Sequence, residues 1–171
     1  MAQVYISVGS NIDRRRNIAA ALQILTDTYG ELQQSSVYES AAVGFDSAPF
    51  YNLVLGFSTQ QSPQAVHEQL HSIENRCGRQ RTAALSARTL DLDLLLYDDR
   101  VMTEGKLVLP RDDINRYAFV LRPLAEIAAA ARHPVTGVSF KDMWAEFDDE
   151  TQPLTRVDWQ PVTSTAKNSS E

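Results

Sequence analysis

The run Thr89-Leu90-Asp91-Leu92-Asp93-Leu94-Leu95-Leu96-Tyr97 constrains the fold more than any other part of the chain. Its first half alternates polar and apolar residues, the two-residue period of a strand with one covered face. Its second half is apolar throughout, so the far end of the strand must be buried. Such a strand needs neighbouring strands for its backbone groups and helices over its apolar side chains. The rest of the chain offers both. Residues 4–8 alternate and run into Gly9-Ser10-Asn11, a strand entering a turn. Ile18, Leu22, Leu25 and Tyr29 recur at helical spacing, with Gly30 as the terminating residue. Residues 32–40 and 50–59 read as strands, separated by a loop over 41–49.

Ser62-Pro63 opens a second helix with an N-cap followed by proline in the first turn. Val66, Leu70, Ile73 and Cys77 form its apolar stripe, Gly78 ends it, and residues 78–87 read as a loop. After the central strand, residues 98–99 turn the chain and 101–109 suggest a short hairpin. A helix is expected to start near Pro123 and reach Ala131, because proline is excluded from helix interiors. Ser139 with Asp142 opens a last short helix. The order βαββαβ predicts an α+β fold, a ferredoxin-like sheet with helices packed on it and a C-terminal helical extension. One domain is expected over residues 1–150. Residues 151–171 are expected to form a polar tail, disordered from about residue 163.

At 171 residues, 43% hydrophobic and 22% charged, the chain has the composition of a soluble globular domain with a full core. No apolar run approaches the roughly 20 residues of a membrane span, and the N-terminus lacks the pattern of a secretory signal. The lone Cys77 permits no internal disulfide, which suits a reducing cytoplasm. A net charge of −6 argues against a general nucleic-acid or membrane-surface binder. Binding one nucleotide needs only a local cluster of cations.

Such a cluster stands beside the central strand. Arg76, Arg79, Arg81 and Arg88 occur with no acid among them, and Asp91 and Asp93 follow at once. Two residues apart on a strand, Asp91 and Asp93 share a face, while Leu90, Leu92 and Leu94 turn to the core. Adjacent carboxylates repel unless a cation sits between them, and a few hard oxygen ligands suit Mg²⁺. Two such ions can clamp an in-line phosphoryl transfer. Guanidinium groups bind phosphate through paired hydrogen bonds and steady the spreading negative charge.

The run from Arg88 to Tyr97 closely resembles the signature of the hydroxymethyl-dihydropterin pyrophosphokinase family. Tyr5-Ile6-Ser7-Val8-Gly9-Ser10-Asn11 resembles the family's opening strand. Residues 36–44 with Phe50-Tyr51-Asn52 resemble its pterin-binding segment. Ile73-Glu74 with Gly78-Arg79-Gln80-Arg81 resembles the approach to its arginine loop, and Phe119-Val120-Leu121 with Pro123-Leu124-Ala125-Glu126-Ile127 resembles its later helix.

The resemblance implies ATP as co-substrate and a hydroxymethyl-pterin as acceptor, with Asp91 and Asp93 holding two Mg²⁺ ions. It implies that Arg79 and Arg88 steady the transferred group and that Arg81 contacts the phosphates. It places His71 at a nucleotide contact, Asn52 on the pterin edge, Phe50 and Phe119 on either side of the ring, Val43 and Gly44 in loop contacts, and Glu74 in support. The chain departs from the pattern with Arg111 where the family has histidine, Tyr117 where it has arginine, Ser86-Ala87 for Gly-Pro and Leu85 for tryptophan. Arg111 is expected on phosphate and Arg116 as the replacement cation. A monomer is expected.

Two other readings compete. His67-Glu68-Gln69-Leu70-His71 fits the HExxH zinc-hydrolase pattern, with His133 as a third ligand, although both histidines lie off the helix's apolar stripe, on what reads as a solvated face. A pterin- and nucleotide-binding relative without turnover is the other. Arg14-Arg15-Arg16 reads as a solvated face, Cys77 as a core residue, Trp144 as packing for the last helix and Trp159 as an anchor for the tail.

Overall fold

A computed structural model of the chain describes residues 1–41, 48–77 and 90–164. Along the chain come β1 (Ala2–Ser10), α1 (Arg14–Tyr29), β2 (Gln33–Gln34), β3 (Tyr38–Ser40), β4 (Phe50–Thr59), α2 (Pro63–Arg76) and β5 (Asp91–Tyr97). Then follow β6 (Met102–Glu104), β7 (Leu107–Leu109), α3 (Asp113–Arg116), α4 (Ala118–Ile127), α5 (Phe140–Glu146) and β8 (Thr155–Arg156). The fold is α+β, built on an antiparallel sheet in the order β5-β1-β4-β3-β8, with β2 also paired to β4.

The sheet is covered on both faces. Val4, Ile6 and Val8 of β1, Leu53 and Leu55 of β4, and Leu92 and Leu94 of β5 pack with Ile18, Leu22 and Leu25 of α1 and Val66, Leu70 and Ile73 of α2. Val54, Leu95 and Leu96 turn the other way, into a second core with Ile114, Val120, Leu121, Leu124 and Phe140. The all-apolar end of β5 has a local cause. The β1–β5 register slips between Tyr5 and Ile6, so Tyr5 faces Leu96 and Ile6 faces Leu94. The extra residue, Leu95, is a bulge that breaks strict alternation. Two-sided cover does the rest.

Several elements differ from the sequence expectation. The strand expected over 32–40 is split, because Ser35 pairs locally with Val54: its N–H donates to the Val54 carbonyl (3.0 Å) and its Oγ accepts from the Val54 N–H (2.9 Å). α4 begins at Ala118, not near Pro123, and ends at Ile127 rather than Ala131. Pro123 sits inside it, where burial of Val120, Leu121, Leu124 and Ala125 offsets one missing backbone bond. The arginine run of α1 is not simply solvated. Arg14 bonds Glu39 (2.8 Å) and the Pro49 carbonyl (3.1 Å) and lies 3.8 Å from the Tyr51 ring centre, while Arg15 stands over Trp159. Residues 151–164 lie along the body: β8 pairs with β3, and Trp159 stacks on Tyr51.

His133 is a buried residue of the turn before α5. Its Nδ1 accepts from the backbone N–H groups of Val135 (3.2 Å) and Thr136 (3.3 Å), so its proton belongs on Nε2. Burial holds its pKa below the ordinary value of 6.5. The unfolded chain therefore takes up this proton before the folded one, and the contribution of neutral His133 is lost as pH falls from about 6.5 through the folded value. His133→Asn keeps an acceptor for the turn without the titration. In melting curves between pH 7.5 and 5.5, the wild type should lose more Tm than this variant; equal losses would exclude the effect.

Candidate active site

The alternation that buries Leu92 and Leu94 sends Asp91 and Asp93 to the opposite face. In register with them on β1 are Gly9, opposite Asp91, and Ser7, opposite Asp93. The next strand places Asn52 opposite Gly9, and β3 places Ser40 opposite Phe50. Residues from four strands thus share one patch, free of the bulky leucines that cover the same face further along. Asp113, Tyr117 and Phe119 from α3, the joint after it and α4 overhang this patch. Together they enclose a cavity of about 240 Å³ lined by Ser7, Gly9, Phe50, Asn52, Asp91, Asp93, Asp113, Tyr117 and Phe119, among others.

Each wall has a local reason. A Cβ at Gly9 would lie 3.1 Å from Asn52 Oδ1 and 3.8 Å from Phe50, so glycine makes room for the amide. Asn52 is buried and its Nδ2 donates to Ser40 Oγ at 2.8 Å, which orients the side chain across the strands. Tyr117 and Phe119 stack with ring centres 4.9 Å apart and planes 19° apart, forming a two-ring wall. Glu74 reaches in from α2, buried beneath β5. Its Oε2 accepts from the Leu92 N–H (2.9 Å) and its Oε1 pairs with His71 Nδ1 (3.0 Å). That bond pins β5 at the residue between the two aspartates. Among the described residues β5 is an edge strand, and α2 supplies the acceptor that a neighbouring strand does not.

The electrostatics centre on Asp93. Burial pushes its carboxyl above the usual range, Arg111 opposes that, Asp113 adds to it, and His71 and His67 work with Arg111. Arg111 Nη2 lies 3.5 Å from Asp93 and its Nε bonds Asp113 at 3.1 Å, with its backbone N–H tied to the Leu95 carbonyl at 3.0 Å. Burial alone would lower the Arg111 pKa; Asp93 and Asp113 outweigh it and hold the guanidinium more firmly charged. His67 is pushed down by burial, then by His71 and Arg111.

Of the sequence candidates, Asp91, Asp93, Phe50, Asn52 and Phe119 come together around one cavity. Glu74, His71 and Arg111 adjoin it through β5 and Asp93. Arg116 does not join them: it pairs with Asp112 at 2.6 Å on the exposed side of α3. Val43, Gly44, Arg79, Arg81 and Arg88 lie outside the described residues. The zinc reading finds no site, since no three His, Cys, Asp or Glu side chains gather as a metal-binding group among the described residues. His67 and His71 lie edge to face, 4.6 Å apart, within electrostatic reach of Asp93, rather than on a wholly solvated face.

Sequence reasoning passed over Ser7, Gly9, Asp113 and Tyr117 as lining residues, and Ser40 fell within the 36–44 segment read as pterin-binding without being singled out. Ser7 and Gly9 carry the same period-two signal as the aspartates. Asp113 and Tyr117 carry none, because only the packing of α3 and α4 brings them over the sheet. The pair of hard carboxylates that open into one cavity, Asp91 and Asp93, fits magnesium in donor chemistry.

The family model described as 7,8-dihydro-6-hydroxymethylpterin-pyrophosphokinase (HPPK) matches residues 5–129. The 2-amino-4-hydroxy-6-hydroxymethyldihydropteridine pyrophosphokinase of Aquifex aeolicus (strain VF5) is 33% identical over 148 residues, covering 85% of this chain and 92% of that protein. That of Haemophilus influenzae is 35% identical over 133 residues, covering 75% and 83%. The folic acid synthesis protein fol1 of Pneumocystis carinii is 32% identical over 155 residues, but the chain spans only 21% of its length. The crystal structure of Plasmodium falciparum HPPK-DHPS with pteroate superposes with a TM-score of 0.70 at 12% identity, over 85% of this chain and 42% of that one, a likeness of fold. With a family model matched over most of its length and relatives at about a third identity covered over 92% and 83% of their lengths, the chain belongs to the 7,8-dihydro-6-hydroxymethylpterin-pyrophosphokinase family.

Proposed function

We propose that this chain transfers diphosphate from ATP to 6-hydroxymethyl-7,8-dihydropterin and releases AMP, a step of folate synthesis. One observation carries the reading: Asp91 and Asp93 open into the same cavity as Phe50, Asn52 and Phe119, so a charged phosphate end and a flat polar ring find their partners side by side. Asp91 and Asp93 would hold two Mg²⁺ ions, which would neutralise the phosphate charge during transfer. Asn52 meets the donor and acceptor edge of the pterin, a use that suits a buried amide. Phe50 and Phe119 hold the ring by stacking. Glu74 keeps β5, and with it both aspartates, in place. Arg111 exchanges its hold on Asp93 for the triphosphate, and Asp113 keeps it within reach. His71, oriented by Glu74, stands ready for the nucleotide. Arg79 and Arg88 steady the transferred group and Arg81 the phosphates, with Val43 and Gly44 against the pterin, as the family resemblance implies. The substrate hydroxyl oxygen attacks the β-phosphorus and gives up its proton to solvent, the β-phosphorus bond to the oxygen shared with the α-phosphate breaks, and AMP leaves with that oxygen.

The strand order β5-β1-β4-β3 supports a ferredoxin-like description of residues 1–150, with the segment from 151 as a C-terminal addition. A cytoplasmic monomer completes the proposal. No helix among the described residues is long and apolar enough to cross a membrane.

A second reading, a ligand-binding module without turnover, is favoured by the ion pairs of Arg111, which neutralise Asp93 from within the chain. The two separate in one experiment. Incubation with ATP, Mg²⁺ and the hydroxymethyl-dihydropterin should yield AMP and the pterin diphosphate in equal amounts. Binding of both substrates without AMP would favour the module.

A further inference from the structure

A second cavity of about 350 Å³ adjoins the first, and Ser40, Ala41, Tyr117 and Phe119 line both. Its outer wall is Thr151, Gln152, Pro153 and Leu154, from the segment beyond α5. The side chain of Gln152 makes two hydrogen bonds there. Its Oε1 accepts from the Ala118 N–H at 2.9 Å, and its Nε2 donates to the Arg116 carbonyl at 3.0 Å. Those two backbone groups flank a single residue, Tyr117.

Tyr117 is the whole joint between α3 and α4. It ends one helix, precedes the other, and is extended at φ −120 and ψ 123. No side chain of the joint caps α4. The first N–H groups of a helix lack intrahelical acceptors, and Ala118 is fully buried, out of reach of bulk water. The last carbonyls of α3 have the mirror problem. One amide answers both, and in doing so brackets the residue whose ring stacks on Phe119.

We propose that Gln152 is a positioning residue for the pterin: by clamping the α3–α4 joint it sets the orientation of the Tyr117–Phe119 wall. This rests on the cavity being the pterin site. Gln152 contacts the joint and not the aspartate end of the cavity, so its influence falls on pterin binding and not on ATP. The amide has to reach both groups at once. Asparagine is one methylene too short for the span, glutamate keeps the acceptor for Ala118 and loses the donor for Arg116, and alanine loses both.

The test compares wild type, Gln152→Ala and Gln152→Glu by fluorescence titration with 6-hydroxymethylpterin, which needs no turnover. Steady-state kinetics for each substrate and amide exchange at Ala118 accompany it. Gln152→Ala should raise the pterin Kd and KM about five- to tenfold, keep the ATP KM and kcat within about twofold, and speed exchange at Ala118. Gln152→Glu should recover part of the loss. Unchanged pterin binding in Gln152→Ala, unchanged exchange at Ala118, or equal rises in both KM values with a lowered Tm would overturn the proposal. A wild-type protein that binds no pterin would instead remove the reading of the cavity, and the inference with it.

Discussion

Replacing Asp91 or Asp93 by alanine is expected to abolish diphosphoryl transfer while leaving the fold in place. Both carboxylates line the cavity, and neither belongs to the apolar cores on the two sheet faces. Each variant removes a hard oxygen ligand where the phosphate charge must be neutralised, and a small donor set has no spare. A fall of at least about 10³-fold in kcat/KM, equivalent to about 4 kcal/mol of transition-state stabilisation, is the expected size. AMP release measures it, with Tm as the control. Near-normal turnover in either variant would remove the metal role from that residue. Asp93 adds a pH signature. Burial raises its pKa and Arg111 only partly opposes this, so at falling pH a proton competes for the carboxylate earlier than at an ordinary aspartate. Apparent Mg²⁺ affinity should therefore drop on acidification through that raised value and level off above it. Isothermal titration with Mg²⁺ and ATP at a series of pH values would show the drop in the wild type.

The second large effect is expected at Glu74. Its carboxylate is buried and meets the Leu92 backbone N–H and His71. Glu74→Ala strands the Leu92 N–H at a buried strand edge, a loss of about 2–3 kcal/mol from a charge-assisted bond and an unsatisfied donor. The same bond stands between Asp91 and Asp93, so the loss should reach activity too: a raised Mg²⁺ requirement and a lowered kcat, seen together with a lower urea midpoint. Glu74→Gln retains an acceptor and should be milder in both. A stable Glu74→Ala variant with unaltered Mg²⁺ dependence would show that β5 holds its position without α2.

Some of this architecture can be read directly along the chain. The period-two pattern around Asp91 and Asp93 places both on one face, because a strand's side chains alternate whatever the sheet around it. Ser62 capping Ala65 at α2 and Ser139 capping Asp142 at α5 are likewise local chemistry between near neighbours. Pro123 shows where local rules fail. Its cost to a helix is small beside the apolar area that α4 buries against β4 and α5, and a single residue's preference cannot report that balance. Arg116 shows the same limit in the site: the nearest acid, Asp112, lies one turn away on an exposed helix and takes the charge meant for a ligand.

The sequence by itself determined the acidic strand, the arginines beside it and the family signature, since each depends on residues close together in the chain. Tertiary structure alone decided what stands opposite them. The bulge at Leu95 sets which leucines face which core, the turn after β7 delivers Arg111 to Asp93, and the α3–α4 joint hangs Tyr117 over the sheet. These contacts join residues far apart in sequence, and their energies depend on burial and distance, which exist only once the chain has folded.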